Sequence, residues 1–240
     1  MNNEILDRQN RLGISPKNNI AIVGCGGIGV WVALFLALSG SNRLILYDHD
    51  RVEFSNLARI PFQEEDVNKP KVEVLASLLS LLRPSLNVEA MGKATELTLS
   101  TGGLMESLID CTDNVETQLM IWKWCEKTNV PYMKAGYDGT LVTVTSTPSG
   151  WSTGSGVGYT ITPSWVIPAV MAACGAVMKL YKPELEINGD ILDGVRYGQE
   201  PVKTEKQKAD PVYPLPPNSR LSNISLDYRT YELGGRNESQ

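Results

Sequence analysis

At 240 residues and 26.3 kDa, with 42% hydrophobic and 20% charged residues, the chain has the bulk of one sizeable α/β domain plus an appendage. A formal net charge of −5 and a pI near 5.1 speak against nucleic acid as the main partner. Cys25, Cys111, Cys125 and Cys174 form no C-x-x-C pair, which excludes a tetrathiolate zinc site, and an N-terminus without an apolar signal core points with them to the cytoplasm.

In chain order, residues 19–23 carry the apolar run Ile20-Ala21-Ile22-Val23 and stop at glycine, the pattern of a buried strand. Residues 27–39 predict a helix halted by Ser39-Gly40-Ser41, and residues 43–47 a second strand. Val67, Val72, Leu75, Leu78, Leu79 and Leu82 recur at helical spacing over residues 67–82, and Pro84 ends that helix. Strands are expected at 87–90 and 108–111, then a helix over 115–127 capped by Asp113 or Asn114. Residues 131–134 and 140–147 read as further strands, and 164–181 as a last helix with a possible kink at Pro168. The apolar runs 24–43 and 165–178 are glycine-punctuated or too short to span a bilayer, so both are assigned to buried helices and no membrane partner is expected. The alternation predicts a mostly parallel, Rossmann-like sheet with helices on both faces, continuing into an antiparallel strand region. Residues 1–190 form the expected domain; residues 191–240, polar and proline-rich, form an extended arm.

The motifs concentrate at predicted strand ends. Gly24-Cys25-Gly26-Gly27-Ile28-Gly29 is a G-x-G-x-x-G turn between a strand and a helix, where backbone N–H groups meet phosphates. Asp48 ends the next strand, suited to ribose hydroxyls. A nicotinamide-dependent oxidoreductase is the first reading of those features alone. Arg59, then Lys71, then Asp113 after the central strand argue otherwise. Two cations and a carboxylate at strand ends suit a triphosphate with Mg²⁺.

Asp48-x-Asp50-x-Val52-x-x-Ser55-Asn56-Leu57-x-Arg59, then Pro70-Lys71, then Asp110-Cys111-Thr112-Asp113-Asn114, resembles the signature of the ubiquitin-activating-enzyme superfamily. The match is closest to the small bacterial adenylyltransferases of thiamine and molybdopterin biosynthesis, the ThiF/MoeB type. Asp7-Arg8-Gln9 and Lys134-Ala135-Gly136 are similar to further parts of that pattern, which runs over roughly residues 5–182. The resemblance implies ATP- and Mg²⁺-dependent adenylation of a carboxylate, often a protein's C-terminal glycine, with release of pyrophosphate. Carried over, Gly24, Gly26, Gly27 and Gly29 would back the nucleotide and Asp48 would bind ribose. Asp50 and Asn56 would lie near the phosphates, Arg59 and Lys71 would neutralise them, and Asp113 would hold the metal. Arg8 would reach the phosphates of a neighbouring subunit, since the family works as a homodimer. The implied partner is a protein or peptide with a free C-terminal carboxylate.

The departures shape the expectation too. The paired C-x-x-C motifs of many members are missing, so no zinc is expected. The segment from Pro148 to Trp165 holds no cysteine, and Cys174 in its apolar helix is expected to be buried. The adenylate is therefore expected to pass directly to an acceptor, without a covalent enzyme intermediate. Ile60 and Gln118 replace a glutamine and an arginine common in the family, which keeps open a catalytically reduced member acting as nucleotide-binding scaffold or sensor. Leu233-Gly234-Gly235 near the end is read as a glycine turn in the arm.

Overall fold

The run Ile20–Val23 supplies four consecutive apolar side chains, two for each face of a strand, and all four are buried. This strand, β1, lies in the middle of the five parallel strands in a computed structural model that describes residues 3–148 and 164–192. The other strands are β2 (Arg43–Tyr47), β3 (Asn87–Met91), β4 (Ser107–Asp110), β5 (Tyr132–Asp138), β6 (Leu141–Thr145) and β7 (Ile187–Asp190). Around them, among the described residues, stand α1 (Asp7–Asn10), α2 (Gly29–Leu38), α3 (Lys71–Leu82), α4 (Glu96–Thr101), α5 (Val115–Thr128) and α6 (Val166–Tyr181). The sheet order is β3-β2-β1-β4-β5-β6-β7, parallel from β3 to β5 and antiparallel from β5 to β7. The expected Rossmann-like sheet with an antiparallel extension is the observed fold.

Period-two alternation divides the core. Ile20 and Ile22 of β1, with Leu44 and Leu46 of β2, meet Leu36, Leu75, Leu79 and Ala172 of α2, α3 and α6. Ala21, Val23, Ile45 and Tyr47 face the other way, against Leu99, Ile121 and Trp124 of α4 and α5. At about 25 cal/mol per Å² of apolar area, this two-sided burial is the main source of stability.

Register sets the functional edge. Met91, Tyr47, Val23, Asp110 and Lys134 lie in one row across β3, β2, β1, β4 and β5. The residues just beyond that row, including Asp48, Gly24, Cys111 and Ala135, therefore share one carboxyl-end rim. β1 pairs with β2 on one side and β4 on the other, so the chain's crossovers diverge there and leave a crevice.

Several boundaries differ from the sequence expectation. α3 starts at Lys71 rather than 67, because Pro70 occupies its N-cap and bars helical geometry from Lys69, while Asn68 turns at φ 70°. α6 runs unbroken from Val166: Pro168 falls in the first turn, where the missing N–H has no partner to lose. α1, α4 and β7 were not anticipated. Cys174 is exposed, not buried, because α6 is apolar on its outward side as well as its inward one. The segment from Pro148 to Trp165 and the arm fall largely outside the described residues, as do Leu233, Gly234 and Gly235.

Candidate active site

The glycine turn opens the rim. Gly24 sits at φ 90° and donates its N–H to Tyr47 O at 2.8 Å; a Cβ there would lie 3.0 Å from the Cys111 carbonyl carbon. Gly29 starts α2 so close to the turn that a Cβ would lie 1.8 Å from Gly24 O. Gly26 faces open space, and Gly27 lies beside the Arg59 side chain and the Tyr137 hydroxyl. A cavity of about 290 Å³ stands over this turn, and Asp48, Asp50, Arg59, Lys71, Asp113, Gln118 and Lys134 all line it.

On the β2 flank, Asp48 Oδ2 accepts from the Cys25 N–H at 2.7 Å and Oδ1 from the Asp50 N–H at 2.7 Å. The carboxylate thus ties the glycine turn to the strand end. Asp50 Oδ2 takes the Lys71 ammonium at 3.0 Å, and its carbonyl takes the Lys71 N–H at 3.0 Å. Lys71 is the first residue of α3, where the helix dipole disfavours a cation, so the Asp50 carboxylate offsets a local penalty. Arg59 is half-buried; its Nη1 donates to Ser55 O at 2.8 Å and its carbonyl accepts from Trp31 Nε1 at 2.9 Å. His49 Nε2 lies 3.8 Å from Asp50 Oδ1, exposed at the mouth.

The central carboxylate is placed by α5. Asn114, not Asp113, caps that helix: its Oδ1 accepts from the Thr117 N–H at 2.9 Å. Asp113 is exposed on the cavity wall one residue earlier.

Three expected site residues do not line the cavity: Gly29, at the start of α2 behind the turn, Asn56, and Arg8, which was expected to serve a neighbouring subunit. Asn56 is 7% exposed and does not line the cavity; its Oδ1 accepts from the Glu53 N–H at 3.1 Å, closing a reciprocal cap on the 3-10 turn Phe54–Asn56. That turn carries the loop of Arg59, whose N–H donates to Asn56 O at 2.9 Å. Arg8 is exposed on α1 and does not line this chain's cavity.

On the β4–β5 flank the resemblance placed Asp110 and Lys134 in its motifs without giving either a task. Asp110 is fully buried; it accepts from Thr112 N–H at 2.8 Å, Thr112 Oγ1 at 2.7 Å and the Tyr132 hydroxyl at 2.8 Å. Lys134, 2% exposed, donates to Asp110 O at 3.2 Å, Thr112 O at 2.6 Å and Ala135 O at 2.9 Å, with Asp110 Oδ1 at 3.7 Å. Burial, and then the Asp110 charge, push the Tyr132 phenol upward in pKa. The available signal was a lone lysine in an apolar strand, in register with an aspartate one strand away.

The thiols are held protonated. Burial, with Asp48 and Cys111 beside it, raises Cys25 well above the usual thiol range; burial pushes Cys111 and Cys125 each to about 12, and the apolar neighbours of the exposed Cys174 partly desolvate it and raise it too.

Comparison with known proteins gives the family and the fold. The ThiF family model matches residues 6–157. The Sulfur carrier protein ThiS adenylyltransferase of Escherichia coli (strain K12) is 35% identical over 146 residues, 58% of this chain and 57% of that protein. Ubiquitin-like modifier-activating enzyme 5 of Drosophila virilis is 29% identical over 131 residues, 49% of this chain and 33% of that protein. The chain therefore spans between a third and somewhat over half of these relatives' length. The crystal structure of E. coli MccB with ATP shares the fold at a TM-score of 0.66 and 22% identity, over 84% of this chain and 74% of MccB.

Proposed function

The chain belongs to the ThiF family, and from that premise we propose that it is an ATP- and Mg²⁺-dependent adenylyltransferase acting on the C-terminal carboxylate of a protein or peptide. The observation that carries this reading is the convergence of Asp48, Arg59, Lys71 and Asp113 on one cavity over the glycine turn. An acceptor carboxylate would attack the α-phosphate of ATP; a phosphoryl–oxygen bond to the acceptor forms, the bond to pyrophosphate breaks, and pyrophosphate carries away the negative charge. The protein has little covalent work to do in such a displacement.

Asp48 already points both carboxylate oxygens at main-chain N–H groups, which holds it where ribose hydroxyls would donate to its remaining lone pairs. Lys71 and Arg59 would neutralise the phosphate oxygens as charge shifts to the leaving group, Lys71 by exchanging Asp50 for phosphate. The hard oxygen of Asp113 fits Mg²⁺, which binds through one or two carboxylates and the phosphates themselves. When bound, the ion would supply charge neutralisation at the phosphates. The raised thiol pKa values favour transfer from the adenylate straight to the acceptor, without an enzyme thioester.

A homodimer is part of the proposal. α2 and α6 pack side by side, and their outward residues Trp31, Phe35, Leu38, Ile167, Cys174 and Met178 include no charge. Leu38, Ile167 and Met178 are 45%, 43% and 49% exposed, an apolar face that nothing covers among the described residues.

The deciding experiment is ATP–pyrophosphate exchange with Mg²⁺ and a carboxylate acceptor. Exchange in the wild type and its loss in a folded Asp113→Ala protein is the expected result. Full exchange in that variant removes the metal role, and ATP binding without exchange for any carboxylate supports a nucleotide sensor instead.

A further inference from the structure

The β4–β5 flank of the cavity carries an oddity that ATP does not explain. Gln118, fully buried on the first turn of α5 and part of the cavity wall, donates from Nε2 to Thr112 O at 3.1 Å. Its Oε1 is buried and has no donor. Turning the amide over would set Oε1 against the Thr112 carbonyl, so the orphan acceptor follows from the main chain and is not a matter of assignment. Buried acceptors are nearly always satisfied; this one belongs to a cavity-lining side chain, and a small outward turn of that side chain would bring it to a ligand's donor.

The neighbouring cation narrows the ligand. An ammonium has three hydrogens, and Lys134 places all three on the carbonyls of Asp110, Thr112 and Ala135. The Lys134 ammonium on this flank therefore has no hydrogen left for an anion, and the Gln118 Oε1 is an acceptor still without a donor. Arg59 and Lys71, on the glycine-turn and β2 side, draw the phosphates and the reacting carboxylate away from it. Strands lie about 4.8 Å apart, close to the length of one residue, so an acceptor chain whose carboxylate stands over the glycine turn sets its last peptide group over β4–β5.

We propose that Gln118 is a specificity residue whose Oε1 accepts the last peptide N–H of the acceptor, so that the site selects a peptide C-terminus over a carboxylate lacking that N–H. The inference rests on the adenylation reading and assigns the acceptor end of the same cavity. Lys134 is its positioning partner: by holding Thr112 O, it fixes the carbonyl that orients the Gln118 amide.

The test uses two probes, N-acetylglycylglycine and N-acetylglycylsarcosine, which differ only in whether the last amide carries hydrogen or methyl. Binding of each to the full chain, with Mg²⁺ and a non-hydrolysable ATP analogue, is measured by calorimetry, and pyrophosphate exchange is measured in parallel. The wild type is expected to prefer the glycine probe by about tenfold. Gln118→Met keeps the side-chain length without the acceptor, and is expected to bind both probes alike, with affinity for the ATP analogue unchanged. Its melting temperature is expected to equal or exceed that of the wild type, because Thr112 O keeps Lys134 and the orphan oxygen is gone. Retained preference in Gln118→Met, binding of neither probe by the wild type, or a fall of several degrees in melting temperature each overturns the proposal. Preference in binding that Gln118→Met abolishes, without exchange from either probe, would sink adenylation while leaving the role of Gln118 intact.

Discussion

Across the cavity from each other stand two ionic clusters of similar composition and opposite setting. On the β2 flank, Asp50 is half-exposed and meets Lys71 at 3.0 Å beside solvent. On the β4–β5 flank, Asp110 and Lys134 are closed off from water, and each is saturated by hydrogen bonds to Thr112, Tyr132 or main-chain carbonyls. The Asp50 carboxylate is 55% exposed and loses little when its partner leaves, so Lys71, itself buried but lining the cavity, would be available to a phosphate; a buried saturated pair is not, so it serves as scaffold. On the proposed reading, the same two residue types would do binding on one side of the glycine turn and construction on the other.

The sharpest break of that contrast is Lys134→Met. It removes the only cation beside the buried Asp110 carboxylate among the described residues and leaves three carbonyls without their shared donor, for which about 3–5 kcal/mol is the usual loss. For a domain of this size that lowers the melting temperature by roughly ten degrees. Calorimetry checks it, and a change within two degrees would mean that Lys134 carries no structural charge.

On the other flank the expected loss is in rate. Lys71→Met should reduce pyrophosphate exchange about a hundredfold or more, and Arg59→Ala by a similar factor. Melting temperature should move little for Lys71→Met, because removing a cation from the first position of α3 also relieves the helix dipole. If Lys71→Met destabilised as much as Lys134→Met, the two flanks would not differ in kind.

The buried side of the sheet also predicts an alkaline limit. Cys111 and Cys125 stand near 12 against an unperturbed 9.0, and burial pushes Tyr47 from 10.0 to about 12. A folded pKa raised above the unfolded one favours the folded state's proton. Stability is full below the unfolded value and falls as pH rises from 9 towards 12. Each thiol contributes a loss on the order of 2 kcal/mol by pH 11. Melting curves from pH 8 to 11 should show the decline, and Cys125→Val should make it shallower; an unchanged slope would remove Cys125 from the account.

What was legible in the sequence is what local chemistry dictates. The glycine turn, Asp48, Lys71 and Asp113 each sit where a strand ends and a loop or helix begins, so spacing alone locates them. Asp110 and Lys134 stand in the quoted motifs, but the Asp110–Tyr132–Lys134 network depends on β4–β5 register across more than twenty residues of chain, which spacing along the chain does not encode. Asn56 belonged to the resembled motif yet closes a cap, because a short amide competes well for backbone N–H groups at a turn. α4 and β7 are short, with few apolar positions to set a period, and pairing rather than propensity makes them. Cys174 was misplaced because an all-apolar helix reads as buried on every side, while α6 is covered on one.

A third ion pair calibrates the exposed end of the comparison. Lys69 and Asp66 meet at 2.8 Å on the loop leading into α3, with Lys69 54% exposed. The Lys69 hydrogen bond, then the Gln63 N–H, hold the Asp66 carboxyl below its usual 3.8. A depressed acid stabilises above its unfolded pKa, and that contribution fades as pH falls through the folded one, so the pair counts at pH 6 and vanishes in acid below 3.8. Solvent screens it, and Lys69→Ala should lose only a few tenths of a kcal/mol in urea unfolding at pH 6. Added salt should shrink even that. The geometry of this pair is slightly tighter than that of Lys71–Asp50, so a loss above about 1 kcal/mol would show that exposure does not make such pairs cheap to break. The argument that Lys71 can leave Asp50 for phosphate would then fail with it.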